Sequence, residues 1–353
     1  MIRSLRVTPL RLASVLAALS IATATPSRTE TMDELYAKAK PEGSLTLYAA
    51  GPTEPHERYA KAFEQRFPGL KVSITGGFSN VLNSRINQQL TDKKVEADLV
   101  IFQTIQDFVG WKRQGLLLSF KPEGFDQVYP NYRDPDGAYV AVAANTLTYA
   151  YNTKLVRPED APKSALDFLK PMFQGKLISV YPGDDDAALY LFTTIVTKYG
   201  WSFMDRYMAN KPNFVQGHLP VARSVASGEN AATLDASSST WRFKREGQPI
   251  EVVFSAEDET PVFTVTAGIF KDAPHPNAAK LYLTWYLAKE QQSRLGVFSS
   301  RADVPPPEGL QPLTSYRIAN NYREFMTDAA RVAELRKRFE SYTGPAVNRG
   351  GVR

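Results

Sequence analysis

The chain has 353 residues, 43% hydrophobic and 22% charged, with no cysteine. That composition describes a globular protein with a real core and length for about two domains, and it excludes disulfide frameworks and thiolate chemistry. The net charge of +5 invites a nucleic-acid partner, but three of those charges, Arg3, Arg6 and Arg11, sit in an N-terminal segment, and without them +2 remains. The other charges are mixed in sign apart from a short "RKRFE" patch near the C-terminus, so no nucleic acid is expected as a partner.

Residues 1–24 read as a secretory signal peptide. The three arginines precede the apolar run "LASVLAALSIATA", which closes on Ala22-Thr23-Ala24, an A-x-A site. The run is short for a membrane span of about 20 residues, which leaves a retained anchor as the alternative reading. Cleavage after Ala24 places the mature protein in the periplasm. "MDELYAKAKPEG" predicts a short helix stopped by Pro41 and Gly43, and "SLTLYAA" (Ser44 to Ala50) a strand. "HERYAKAFEQRF" carries Tyr59, Phe63 and Phe67 on one helical face. "LKVSIT" is a strand, and "SNVLNSRINQQL" a helix with Ser79 or Asn80 as its N-cap. "ADLVIF" is a strand again, and this β-α-β-α-β order predicts a mostly parallel sheet covered by helices. "AYVAVAANTLTYAYNT" (Ala138 to Thr153) is too long for one ordinary strand and is read as a crossover between two lobes. "GKLISVY", the helix "DDAALYLFTTIVTKYG", a short buried strand "ENAATLD" and the strand "IEVVFS" follow. "PVFTVTAGIFK" is extended, and "NAAKLYLTWYLAKEQQSRLG" predicts one strong helix.

Taken together these segments resemble the extracellular solute-binding proteins of ABC importers, in the two-lobed group that includes the ferric-iron binders. The resemblance rests on "EGSLTLYAA", "FEQRFPGLKV", "SNVLNSRI", "TYAYNTKLV", "GKLISVYPGDDD" and "APHPNAAKLYLTWYLAKEQQ", in this order. It implies an α/β, type II periplasmic binding protein fold: two lobes, each a mixed, mostly parallel sheet flanked by helices, with hinge strands between them. Lobe one is expected over 44–144 plus 258–310, and lobe two over 145–257 plus part of 311–353. The segments Ala144 to Thr153 and Ser255 to Thr264 match the hinge strands.

In open α/β sheets ligands gather at strand ends and helix N-termini. On that basis "GGFSNV" offers Ser79, Asn80 and free N–H groups to an anion, or is an ordinary helix start after a glycine turn. Thr53 and Glu54 follow the first strand, and Gln103 the third. His56 lies near where the resemblance puts an iron ligand, or is an exposed first-turn histidine. "YPGDDDAA" brings Tyr181 and Asp184 to Asp186, of which Asp185 is the ligand candidate; acids there also suit a helix dipole. In the iron-binding relatives two adjacent tyrosines precede an aromatic, and the matching positions here are Ser238 to Thr240 before Trp241. Neutral hydroxyls are good donors to carboxylate or phosphonate oxygens and poor ferric ligands; the competing reading is a polar turn. Arg223 and Arg242 are charge candidates.

The ligand set is therefore Thr53, Ser79, Asn80, Gln103, Tyr181, Asp185, Ser238, Thr240 and Trp241, with no cofactor, resident metal or catalytic residue. No G-x-S-x-G, H-E-x-x-H or phosphate-loop motif is present, His56, His218 and His275 fall in unrelated contexts, and His275 reads as part of a surface turn. The expected function is capture of a small polar or anionic organic solute (phosphonate, carboxylate or amino-acid-like) by lobe closure. Its partner is an inner-membrane permease, and the protein is a monomer. A ferric-iron binder or a soluble sensor subunit of the same fold are the alternatives.

Overall fold

The computed structural model describes residues 30–51 and 53–347; the expected signal peptide lies outside them. Helix α1 (Met32–Ala39) opens with a reciprocal cap, Thr31 and Glu34 each accepting from the other's backbone N–H. Then come β1 (Ser44–Ala50), α2 (Thr53–Arg66), β2 (Lys71–Gly77), α3 (Ser79–Thr91), β3 (Leu99–Phe102), α4 (Ile105–Arg113) and β4 (Val140–Thr146). The second group of elements is β5 (Thr148–Asn152), β6 (Ile178–Val180), α5 (Asp186–Tyr199), α6 (Ser202–Ala209), β7 (Asn213–Val215), α7 (His218–Ser227), β8 (Ala232–Ala236), α8 (Ser238–Arg245) and β9 (Ile250–Val253). The chain returns through β10 (Thr260–Ile269), α9 (Pro276–Leu287), α10 (Lys289–Gln292), β11 (Ile318–Ala319), α11 (Tyr322–Thr327) and α12 (Ala329–Thr343).

Two lobes with one topology result. In the first, strands run β2-β1-β3-β10-β4, with β11 beside the start of β10. β1 is parallel to β2 and β3, while β10 runs antiparallel to β3 and β4. In the second, β6 and β7 are parallel, a bridge from Leu177 to Ala232 joins them to β8, and β5 lies antiparallel between β8 and β9. The order β7-β6-β8-β5-β9 repeats that of the first lobe. Strand β3 is buried along its whole length, as a strand covered on both faces by helices must be.

The long extended stretch is two strands. β4 ends at Thr146 in one sheet and β5 starts at Thr148 in the other, with buried Leu147 between them. The return crossing, between β9 and β10, is held by Asp258. Its carboxylate accepts from Tyr149 Oη at 2.8 Å, Ala165 N at 2.6 Å and Tyr199 Oη at 2.6 Å, and pairs with Lys198. Helix α12 packs on lobe two through buried Phe339, against Phe192 and Trp201.

Two expectations need correction. The helix expected over 277–296 is broken at Ala288, whose backbone is extended. The carbonyls this frees are taken by side chains: Arg301 donates to Leu287 O at 3.0 Å and Gln292 to Tyr286 O at 3.0 Å. His275 is no mere surface turn. Its backbone N–H and Nδ1 meet the fully buried carboxylate of Asp98 at 2.6 and 2.9 Å, and Nε2 meets Ser44 Oγ at 3.0 Å, tying the start of α9 to the sheet.

Candidate functional site

The ends of β1, β2 and β3 in lobe one, and of β6, β7 and β8 in lobe two, each lead directly into a helix. The lobes meet along these loops. Gln106 Nε2 in α4 donates to Asp186 Oδ2 in α5 at 2.7 Å, and Arg242 in α8 lies 3.6 Å from Glu54 in α2. Arg245 donates to Gly296 O at 3.0 Å. Helix N-termini from both lobes therefore border one cleft, with N–H groups and dipoles that favour an anion.

Thr53 is the exposed first residue of α2. Its methyl sits where a side chain on Gly76 would go: a Cβ there would be 2.2 Å from Thr53 Cγ2, so the bare glycine lets the ends of β1 and β2 close up. Neither Ser79 nor Asn80 is the N-cap of α3. Phe78 holds that position without a side-chain bond, Ser79 is buried as the first helical residue, and Asn80 Oδ1 accepts from Val81 N at 2.9 Å. The extended backbone of Phe78 starts the helix one residue earlier than the polar pair suggests. Gln103 is half-buried, and its carbonyl accepts from Tyr322 Oη at 3.4 Å. His56 is half-buried in the first turn of α2 rather than exposed, and burial lowers its pKa against a bond to the Ala50 backbone.

In lobe two, Tyr181 packs on Phe214 at 5.6 Å, and its carbonyl accepts from the N–H groups of Asp184 and Asp185. The three aspartates divide the work. Exposed Asp184 accepts from Gln216 at 2.9 Å. Asp185 caps α5 through Ala188 N at 2.9 Å. Asp186 pairs with Arg336 of α12, which also donates to Gly183 O at 2.8 Å.

Asp185 has a second partner that local reading missed. His218, the first residue of α7, places Nε2 3.5 Å from Asp185 and Nδ1 3.3 Å from Asp235, the latter 0% exposed. The ring shows 17% of its side-chain surface, while both nitrogens are shielded. Burial opposes charge on His218, but Asp235 and Asp185 outweigh it and hold the imidazole well above its ordinary pKa. Asp185 is also desolvated, yet His218 and backbone N–H groups draw it below the usual carboxylate range, whereas burial pushes Asp235 up. The carboxylates face opposite ring nitrogens, so all three groups cannot converge on one metal ion. His218 carried a readable signal: it follows a strand and starts a helix, as Ser79 and Ser238 do.

The "SSST" run splits. Ser237 caps α8, accepting from Ser239 N at 3.3 Å. Thr240 is wholly buried and its hydroxyl meets no partner among the described residues. Ser238 and Trp241 line a cavity with Asn145, Thr146, Gly296, Phe298 and Leu310, drawn from both lobes and the hinge. Arg223 is exposed on α7.

Solved structures with this fold confirm the architecture. Iron-bound HitA from Pseudomonas aeruginosa superposes with a TM-score of 0.70 at 20% identity, covering 84% of this chain and 99% of its own. The binding protein AfuA of Actinobacillus pleuropneumoniae, with fructose-6-phosphate bound, gives 0.73 at 21% identity, covering 86% and 99%. Among sequence relatives, the Fe(3+)-binding periplasmic protein of Serratia marcescens is 22% identical over 272 residues, 73% of this chain and 77% of the relative. The chain therefore has the two-lobed type II periplasmic binding protein fold. The family model for bacterial extracellular solute-binding proteins, whose members serve ABC transporters, matches residues 49–293, more than half of the chain. By that match the chain belongs to the bacterial extracellular solute-binding proteins.

Proposed function

We propose that this protein captures a small organic anion, such as a phosphonate, phosphate ester or carboxylate, and delivers it to an ABC permease. What carries the reading is the start of α8. Where the resemblance puts adjacent tyrosines in iron binders, this chain has Ser238 to Thr240 in the first turn of a helix. The Ser238 hydroxyl makes no hydrogen bond within the described residues. A hydroxyl beside helix N–H groups stabilises an anion, whereas ferric iron needs charged oxygen ligands. Ser79, Thr53 and Gln103 serve the same solute from lobe one, and Tyr181, Asp185 and Trp241 border it in lobe two, with Asn80 at the start of α3, while buried Thr240 lies beneath the start of α8. The sugar phosphate carried by the Actinobacillus protein, on the same fold, supports an anionic organic ligand.

Lobe one takes 44–146 with 258–310, and lobe two 148–257 with the C-terminal helix. Solute contacts made only in the closed form shift the lobes towards closure. The protein is exported by its N-terminal segment, acts as a monomer in the periplasm and turns over no substrate. Thermal-shift and calorimetric titrations with phosphonates, phosphate esters, carboxylates, amino acids and ferric citrate test this. A shift with an organic anion, weakened by Ser238→Ala, is expected. The names of the Serratia and Pseudomonas relatives favour iron as the second reading, and a shift with ferric citrate alone overturns the anion reading.

A further inference from the structure

We infer that the hinge end of the cleft receives the body of the solute, and that this body is uncharged and hydroxylated with one apolar face, as a sugar ring is. The inference rests on the organic-anion reading and specifies which organic anion. The cavity there is small and partly open to solvent. Its lining is divided by chemistry. Trp241, Phe298 and Leu310 form an apolar wall. Asn145, Thr146 and Ser238 supply an amide and two hydroxyls, and no charged side chain takes part.

None of those three polar side chains makes a hydrogen bond within the described residues. Thr146 is only 4% exposed, and a ligand or water in the cavity can complete its hydroxyl. Asn145 and Thr146 close β4, and Ala144 beside them is bridged to Phe298, which brings the end of this strand next to the aromatic wall. Neutral donors and acceptors opposite an indole suit hydroxyls on a ring whose C–H face packs on an aromatic. A bare alkyl chain would leave the amide and hydroxyls unpaired. Ser238 belongs both to this cavity and to the N-terminus of α8, so one ligand can span the two, ring at the hinge and anionic group at the helix.

The experiment is calorimetric titration of the full chain with fructose 6-phosphate, butylphosphonate and inorganic phosphate. The hexose phosphate is expected to bind at least tenfold more tightly than either other probe. Asn145→Ala and Thr146→Val are each expected to weaken it about threefold to tenfold, the worth of one hydrogen bond, while binding of inorganic phosphate stays unchanged. Should Thr146→Val fail to fold, Asn145→Ala at its half-exposed position decides alone. Butylphosphonate binding as tightly as the sugar phosphate, or variants that weaken all probes equally, overturns the inference and leaves the anion reading standing. Binding of ferric citrate and of no organic anion overturns both.

Discussion

Replacing His218 with alanine tests the electrostatics of the lobe-two cleft face. The substitution leaves Asp185 and the fully buried Asp235 without the cation that sits 3.5 and 3.3 Å from them. Removing one partner of a buried ion pair costs about 3–5 kcal/mol. With 17% of the His218 side chain exposed, the lower part of that range applies, about 3–4 kcal/mol. Urea unfolding at pH 6 should show the midpoint falling by about 1 M for a slope of about 3 kcal/mol/M. The pH dependence has a definite sign. A raised imidazole contributes fully below its unfolded value of about 6.5 and loses the contribution as pH rises through the folded value. A depressed carboxylate such as Asp185 contributes above about 3.9 and loses it as pH falls. Asp235, pushed up by burial, has the opposite sign and offsets part of the gain when it ionises. The gap between wild type and His218→Ala should therefore be widest between about pH 4 and 6.5, and Asp235→Asn should recover part of it in a double-mutant cycle. A loss below about 0.5 kcal/mol, or a gap that does not change with pH, would refute the ion-pair account.

Asp258→Asn should destabilise by about 2–4 kcal/mol in chemical unfolding, because it weakens a buried hub that four partners reach at the return crossing. Since those partners outweigh desolvation and hold Asp258 below the usual carboxylate range, its contribution is present above about pH 4 and disappears in acid. Gln106→Ala removes a bond between the lobes; ligand affinity by calorimetry should fall by about twofold to tenfold with little change in melting temperature. Gly76→Ala puts a methyl onto Thr53, so the start of α2 must move. The expected result is a stability loss of about 1 kcal/mol together with weaker ligand binding, read by thermal shift with and without ligand.

Much of the fold was legible because it is encoded locally. β1 runs over the residues read as a strand, Ser44 to Ala50, and Phe63 and Phe67, spaced for one helical face, are both fully buried. Periodicities of 2 and 3.6 residues survive in any tertiary setting, since each reports which face of an element turns inward. The break at Ala288 was not legible. The group that satisfies the Leu287 carbonyl, Arg301, lies beyond the local window, and helix propensity alone favours continuing through "YLAKEQQ".

The sequence alone carried most of the elements, their α/β alternation, a crossing between lobes within Ala138 to Thr153 and the rule that strand ends would carry the site. Only the tertiary structure decided which of those ends meet and what each polar side chain touches there. Asp185, His218 and Asp235 come from the N-cap of α5, the start of α7 and strand β8, and the hinge cavity gathers Asn145, Ser238, Trp241 and Phe298 from far apart in the chain. Electrostatic pairing and cavity shape depend on distance in space, and no local pattern in the sequence records that distance.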